Sequence, residues 1–356
     1  MPGDGSRFDY ASLDTGRGLL FVAHVGASEV IEVDVHAHRV MRTIANIDLV
    51  HGVFVVPERH RVYATATGAN TMIILNEDTG EQIGRAPTGA YPDGLAYDPR
   101  RGAVWTTNET GGSETVIDAA TGAVRGTVPL GGDVGNVVYD PTGDQMLVAV
   151  QGTNQLAVID PTALAVSKTV ALPGCEHPHG LALDPSDRLG FVACQGNAAL
   201  LTVDLGSGRV AGTNQVGDGP DVLAYDAGAR RLYVAAESGW VSVFDLRDHQ
   251  LAVVGNDHLA AGARVVAVDP TTHHSFYPIP SSADDRPALR ELKPPRNTQR
   301  NAVSARGFEV CGIQRGAHRL RQVHRVVNGP IVQVEQPRVI GQGMVMHFHD
   351  GDVAGA

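Results

Sequence analysis

The segment Cys175-Glu176-His177-Pro178-His179-Gly180 carries two imidazoles at i and i+2. Imidazole nitrogens combined with carboxylates suit zinc or a similar divalent ion. His51, from a distant part of the chain, and Glu109 or Glu237 are candidates to join them, which makes His51, His177 and His179 the metal ligands expected from sequence. A cation held there would polarise a substrate or activate water, with a histidine or glutamate as general base, the chemistry of a metal-dependent hydrolase or lyase. The competing expectation is that the same side chains only satisfy loop carbonyls and line a wet channel; the function expected of the chain is binding of a small ligand, peptide or protein partner, with the metal-dependent enzyme as the alternative. No close motif fixes the ligand set. A GxSxG elbow, a phosphate loop, a nucleotide fingerprint and a CxxC pair are all lacking, so acyl transfer, nucleotide and dithiol redox chemistry have no support. His347-Phe348-His349-Asp350 also has metal-like spacing, which a flexible terminus explains as well.

Residues so far apart meet only if the fold brings them together, and the spacing of one residue type indicates how. An aspartate ends an apolar run just before a turn at Asp14, Asp98, Asp140, Asp184, Asp226 and Asp269, with Val56 before Pro57 in the same role. Successive steps are 42, 42, 42, 44, 42 and 43 residues. A second marker runs in phase at Asp34, Asn76, Asp118, Asp160, Asp204 and Asp245. Self-similarity at such a period is the signature of a repeat architecture. Within Asp93–Pro129 four short strand-like runs alternate with turn chemistry, Pro99-Arg100-Arg101-Gly102 and Ala119-Ala120-Thr121-Gly122. Four-stranded units of this size close radially into β-propellers, so the chain is expected to be all-β, a seven-bladed β-propeller of four-stranded antiparallel blades. Runs such as Arg61-Val62-Tyr63-Ala64-Thr65 lack helical periodicity, and the connections leave no room for the crossovers of a parallel sheet.

A propeller has two sets of connections. The hairpins bearing the marker aspartates lie on one face, and those aspartates are expected to cap turns rather than to act in catalysis. The loops entering each inner strand, with those following each second strand, surround one mouth of the central channel, where binding groups collect on a rigid scaffold. The first set supplies Arg7 and Asp9, His51, Asp93, Asp133 with Asn136, His177 with His179, Asp221, and Arg264; the second supplies His24, Asn108 with Glu109, Gln151, Gln195 and Glu237. Titratable groups converging on one concavity indicate a binding or catalytic site. Trp105 and Trp240 fall within or beside strands and are expected to pack.

The formal net charge of −11 disfavours nucleic acid and anionic membrane as partners, since both require clustered Lys and Arg. A small molecule, or a protein or peptide, is expected instead, bound by a monomer. No apolar stretch reaches the roughly 18 residues of a membrane span. Met1-Pro2-Gly3-Asp4-Gly5 carries no charged and apolar leader, so no export signal is expected in the chain. Cys175 and Cys194 flank one inner hairpin, where a disulfide is allowed by position but not demanded.

Asp98-Pro99 with Ala103-Val104-Trp105, and Asp226 with Arg231-Leu232-Tyr233-Val234-Ala235, resemble the recurring pattern of the YVTN-repeat proteins, seven-bladed propellers often called YncE-like. The resemblance spans about residues 7 to 293. It implies an exported or cell-envelope protein used for binding, with single-stranded DNA among the partners of one branch. The acidic balance and the 5% aromatic content run against that DNA partner, which needs a basic groove and stacking platforms. The propeller is expected over 7–295, with 296–356 a poorly ordered extension. The seventh unit stops at Lys293-Pro294-Pro295 without its outermost strand, and too few residues precede Arg7 to supply one; Ile331–Glu335 is the tail's candidate for that role.

Overall fold

The computed structural model describes residues 1–282 and 284–294. Seven antiparallel sheets follow one another along the chain, six of four strands and a last one of three, as a seven-bladed propeller. The inner strands are Phe8–Asp14, Val50–Val56, Pro92–Asp98, Val134–Asp140, Pro178–Asp184, Pro220–Asp226 and the short Ala267–Val268. Each blade passes outward from its inner strand through three hairpins, except the seventh, which ends on Ala288–Leu292 as its third strand. No strand is borrowed from the N-terminus: Phe8–Asp14 is itself the inner strand of blade 1. Among the described residues the ring closes by packing. Phe8, Leu20, Val22 and Ile31 of blade 1 meet Val265, Ala267 and Phe276 of blade 7, and the Met1 ammonium donates to the Pro287 carbonyl at 2.7 Å. The tail, including Ile331–Glu335, His347–Asp350 and Cys311, lies outside the described residues.

The core is distributed in the same way. Seven buried apolar clusters each join two neighbouring blades, one for every interface in the ring. Alternation along each strand sends one set of side chains to the preceding blade and the other to the following one, so both faces of every sheet are apolar. Trp105 is wholly buried in the interface between blades 3 and 4, as expected, whereas Trp240 is 41% exposed and meets His258 edge-on. The marker aspartates do cap turns: Asp98 Oδ1 accepts the backbone N–H groups of Arg100 and Arg101 at 3.0 and 3.2 Å, and Asp140, Asp184 and Asp269 accept equivalent bonds. Cys175 and Cys194 are joined by a disulfide.

Two backbone features position the site. Six inner strands carry a bulge in their first turn of chain, between Phe8/Ala11, Val50/Val53, Pro92/Leu95, Val134/Val137, Pro178/Leu181 and Pro220/Leu223. A bulge inserts an unpaired residue and re-aims its side chain. The inner strands also approach one another so closely at this level that a side chain is excluded: a Cβ on Gly52 would lie 2.1 Å from the Asp93 carbonyl oxygen, and one on Gly180 2.0 Å from that of Asp221.

Candidate functional site

The residue five positions before each marker falls in the bulge in six blades and in the loop before Ala267–Val268 in the seventh, and there the blades present Asp9, His51, Asp93, Gly135, His179, Asp221 and Arg264. Six of these seven equivalent positions are titratable. Asp9, Asp93 and Asp221 are 1–3% exposed, and His51 and His179 are 3% and 7% exposed. They form a ring of titratable groups taken out of water, and residues from other blades act on its members.

On the side of blades 5 to 7 the charges are paired. His179 Nε2 lies 3.1 Å from Asp221 Oδ1, and the Gln151 amide lies 2.6 Å from Nδ1. Burial opposes the charge on His179, but the hydrogen bond to Asp221 and the fields of Asp221, Asp93 and Glu109 outweigh it and raise its pKa to about 9, so the ring is an imidazolium at neutral pH. Asp221 is correspondingly held below the usual carboxylate range: burial works against its charge, and His179, Arg264 and Arg7 overcome that. Arg264 reaches Asp221 at 3.4 Å and Glu237 at 2.6 Å, and Gln195 donates to Glu237 at 3.4 Å.

On the side of blades 1 to 3 the balance is reversed. Asp9 is pushed up to about 7 by burial and by Asp93 and Asp221, against the pull of Arg7 at 2.6 Å and of His51. Asp93 is raised to about 6, chiefly by burial. His51 is lowered by burial despite Asp9 nearby, so its ring is neutral. Its Nδ1–H donates to the Leu49 carbonyl at 2.7 Å, which leaves the Nε2 lone pair facing Asp9 at 3.8 Å and the Tyr91 hydroxyl at 3.2 Å. Tyr10 crosses the channel from blade 1, and its hydroxyl donates to Asp93 Oδ2 at 3.1 Å and meets Asn136 Oδ1. Beneath it the channel continues as a cavity of about 270 Å³ between the inner strands. Ligand atoms of Asp9, His51 and Asp93 lie within 4.8 Å of one another, and all three residues are buried.

The residues expected from sequence therefore divide. His51, Asp93, Asn136, His179, Asp221, Glu237, Gln195 and Arg264 belong to this network, and Glu109, half-buried, acts on His179 and Asp93 electrostatically. His177 does not join the expected His51–His177–His179 metal set. It is exposed, its φ is +50°, and its backbone is held by the Asn154 and Gln195 contacts. His179, two residues on, turns to Asp221 instead. The groups that do surround a common point with His51 are Asp9 and Asp93. His24 also stands apart: it is fully buried, stacked on Phe8 at 4.3 Å, and bound between Glu29 and Ser6. Asn108 is committed to structure, spanning Gly89, Ser113 and Thr115. Tyr10 and Tyr91 were missed. The signal for Tyr10 was that the position after the ring residue is Gly52, Gly94 and Gly180 in three other blades, so one bulky side chain has vacated space to enter.

No family model matches the sequence, and no curated protein matches it. The fold has many counterparts. A chain of the Kuenenia stuttgartiensis hydrazine synthase aligns with a TM-score of 0.71 at 12% identity, covering 80% of this chain and 95% of that one. A chain of a mitotic checkpoint complex aligns with a TM-score of 0.68 at 13% identity, covering 82% and 88%. At such identities the likeness is one of fold, the seven-bladed propeller. A synthase and a checkpoint assembly share that fold, so it does not choose between catalysis and interaction. Among the described residues no helix is long and apolar enough to cross a membrane.

Proposed function

We propose that this chain is a binding propeller that holds a small polar molecule in its channel mouth, on Asp9, His51, Asp93, His179, Asp221 and Arg264. The observation that carries this reading is the ring itself. Burying charge opposes folding, and blade 4, with Gly135, shows that the propeller closes without a charged side chain at this position. Five of the six titratable members are under 10% exposed, and Arg264 is 14% exposed, so they lie recessed where a small molecule reaches them more readily than a flat protein surface does. The mouth offers acceptors around Asp9, Asp93 and Glu109 and donors around Arg264 and His179. Its ligand accordingly carries both hydrogen-bond donors and an anionic or acceptor group.

The resemblance to YVTN-repeat proteins supports a binding role in an exported or envelope setting, and the Cys175–Cys194 disulfide fits an oxidising compartment. The alternative, a metal-dependent hydrolase or lyase, draws on Glu109: a half-buried carboxyl raised by burial at the same mouth is a group suited to exchanging a proton with a substrate.

The test is a thermal-shift and calorimetric screen of small amino, hydroxy and carboxy compounds against the full chain. Binding is expected to weaken at least about tenfold in Asp221→Asn, where a charged hydrogen bond is lost, and to be unchanged in His177→Ala. Compounds that bind both variants equally well would place the site elsewhere.

A further inference from the structure

We infer that Asp9, His51 and Asp93 form a binding site for one divalent transition-metal cation, with Tyr10 as a positioning residue. The inference rests on the channel mouth being the binding site and adds a cofactor to it.

Three observations support it. The first is convergence: the three residues come from blades 1, 2 and 3, sit at equivalent positions in three bulges, and bring their ligand atoms within 4.8 Å of one another. Atoms so placed are roughly 2.8 Å or less from a common centre, and metal bonds of about 2.0–2.2 Å are reached by sub-ångström movements of side chains. The second is the set of outer contacts. His51 donates Nδ1–H to the Leu49 carbonyl at 2.7 Å, so its buried Nε2 is aimed into the cluster as a lone pair, the arrangement found behind metal-bound histidines. Asp9 Oδ2 is held by Arg7 at 2.6 Å and Asp93 Oδ2 by Tyr10 at 3.1 Å. Among the described residues no hydrogen bond reaches the other oxygen of either carboxylate. The third is the placement of the basic side chains: His179 and Arg264 pair with Asp221 and Arg7 pairs with Asp9, while among the described residues no salt bridge reaches the buried Asp93.

One nitrogen and two oxygens suit zinc, manganese or a similar first-row ion, whereas calcium and magnesium favour all-oxygen sets. Three protein ligands leave positions open for a bound molecule. The Tyr91 hydroxyl, 3.2 Å from His51 Nε2, must turn aside when the ion enters.

The experiment titrates the chelator-treated full chain with zinc chloride and with manganese chloride by calorimetry and counts retained metal by elemental analysis. One ion per chain is expected. His51→Gln and Asp93→Asn, both nearly isosteric, should weaken it about 100-fold or more, Tyr10→Phe about tenfold through loss of the outer contact, and His177→Ala not at all. Circular dichroism of each variant confirms folding, and Asp9→Asn replaces any variant that does not fold. Absence of metal binding by the wild-type chain overturns the inference, as does zinc binding that persists in His51→Gln and Asp93→Asn. Should metal binding fail while a small ligand still distinguishes Asp221→Asn from wild type, the cation is excluded and the binding site at the mouth stands; failure of both removes the site.

Discussion

Between about pH 6.5 and pH 9 the folded protein is expected to lose about 3 kcal/mol of stability through one side chain, His179. Its pKa is raised from 6.5 to about 9 in the folded state, and each pKa unit corresponds to about 1.36 kcal/mol. A group raised on folding binds more protons in the native than in the unfolded chain. Its stabilisation is therefore complete below pH 6.5 and is lost as pH rises through the folded value. Asp9 and Asp93, raised to about 7 and about 6, act in the same direction in a lower window, from about 3.8 upward, and Glu77, raised to about 7, does the same, while the partly buried Met1 ammonium, lowered on folding, acts in the opposite direction, so the histidine's share is read from the difference between wild type and His179→Gln. Urea midpoints measured with chelator present should fall between pH 7 and pH 9, and His179→Gln should flatten the fall. A wild-type midpoint constant across that range would mean that the imidazole is not paired with Asp221.

Removing the Cys175–Cys194 bond is expected to have an effect of similar size. The bridge joins residues separated by 19 positions, and closing a loop of that length in the unfolded chain contributes about 3 kcal/mol. Both cysteines are buried, at 4% and 0% exposure, so the double variant Cys175→Ala/Cys194→Ala tests the bridge without placing hydroxyls in the core. Its urea midpoint should drop, and reductant should lower the wild-type midpoint but leave the variant unchanged. The bridge anchors the loop that carries His177 and leads into His179. Equal midpoints with and without reductant would show that the thiols are not joined.

Much of this architecture was legible because a propeller writes its geometry into spacing. The marker aspartates repeat because each caps the same turn in each blade, and so the number of blades and the face that bears the mouth followed from counting. The three-stranded last blade was legible for the same reason, from the stop at Lys293-Pro294-Pro295. The ring was partly legible: Asp93, His179, Asp221 and Arg264 keep a fixed distance from the marker. Which side chains face one another was not. His177 and His179 look equivalent as a pair in sequence, but the bulge begins at Pro178, so the first imidazole is left in solvent and only the second enters the channel. His24 follows a second strand just as Glu237 does, yet the residues before Arg7 fold over it, with Ser6 at 3.0 Å, and remove it from the mouth. Asp9 acquires its importance from His51 and Asp93, neighbours that only ring closure supplies. Tyr10 could not be assigned a role without knowing that glycines opposite it leave the channel open.

The central claim is that side chains from separate blades act on one another in a single opening, and histidine titration by NMR tests it most directly. His179 is on blade 5 and Asp93 on blade 3, and the Asp93 carboxylate is among the charges that raise the imidazole's pKa. In Asp93→Asn the His179 titration should move down from its wild-type position near 9. A His179 titration unmoved by Asp93→Asn, or one already at an ordinary histidine value in the wild type, would contradict the convergence of the ring.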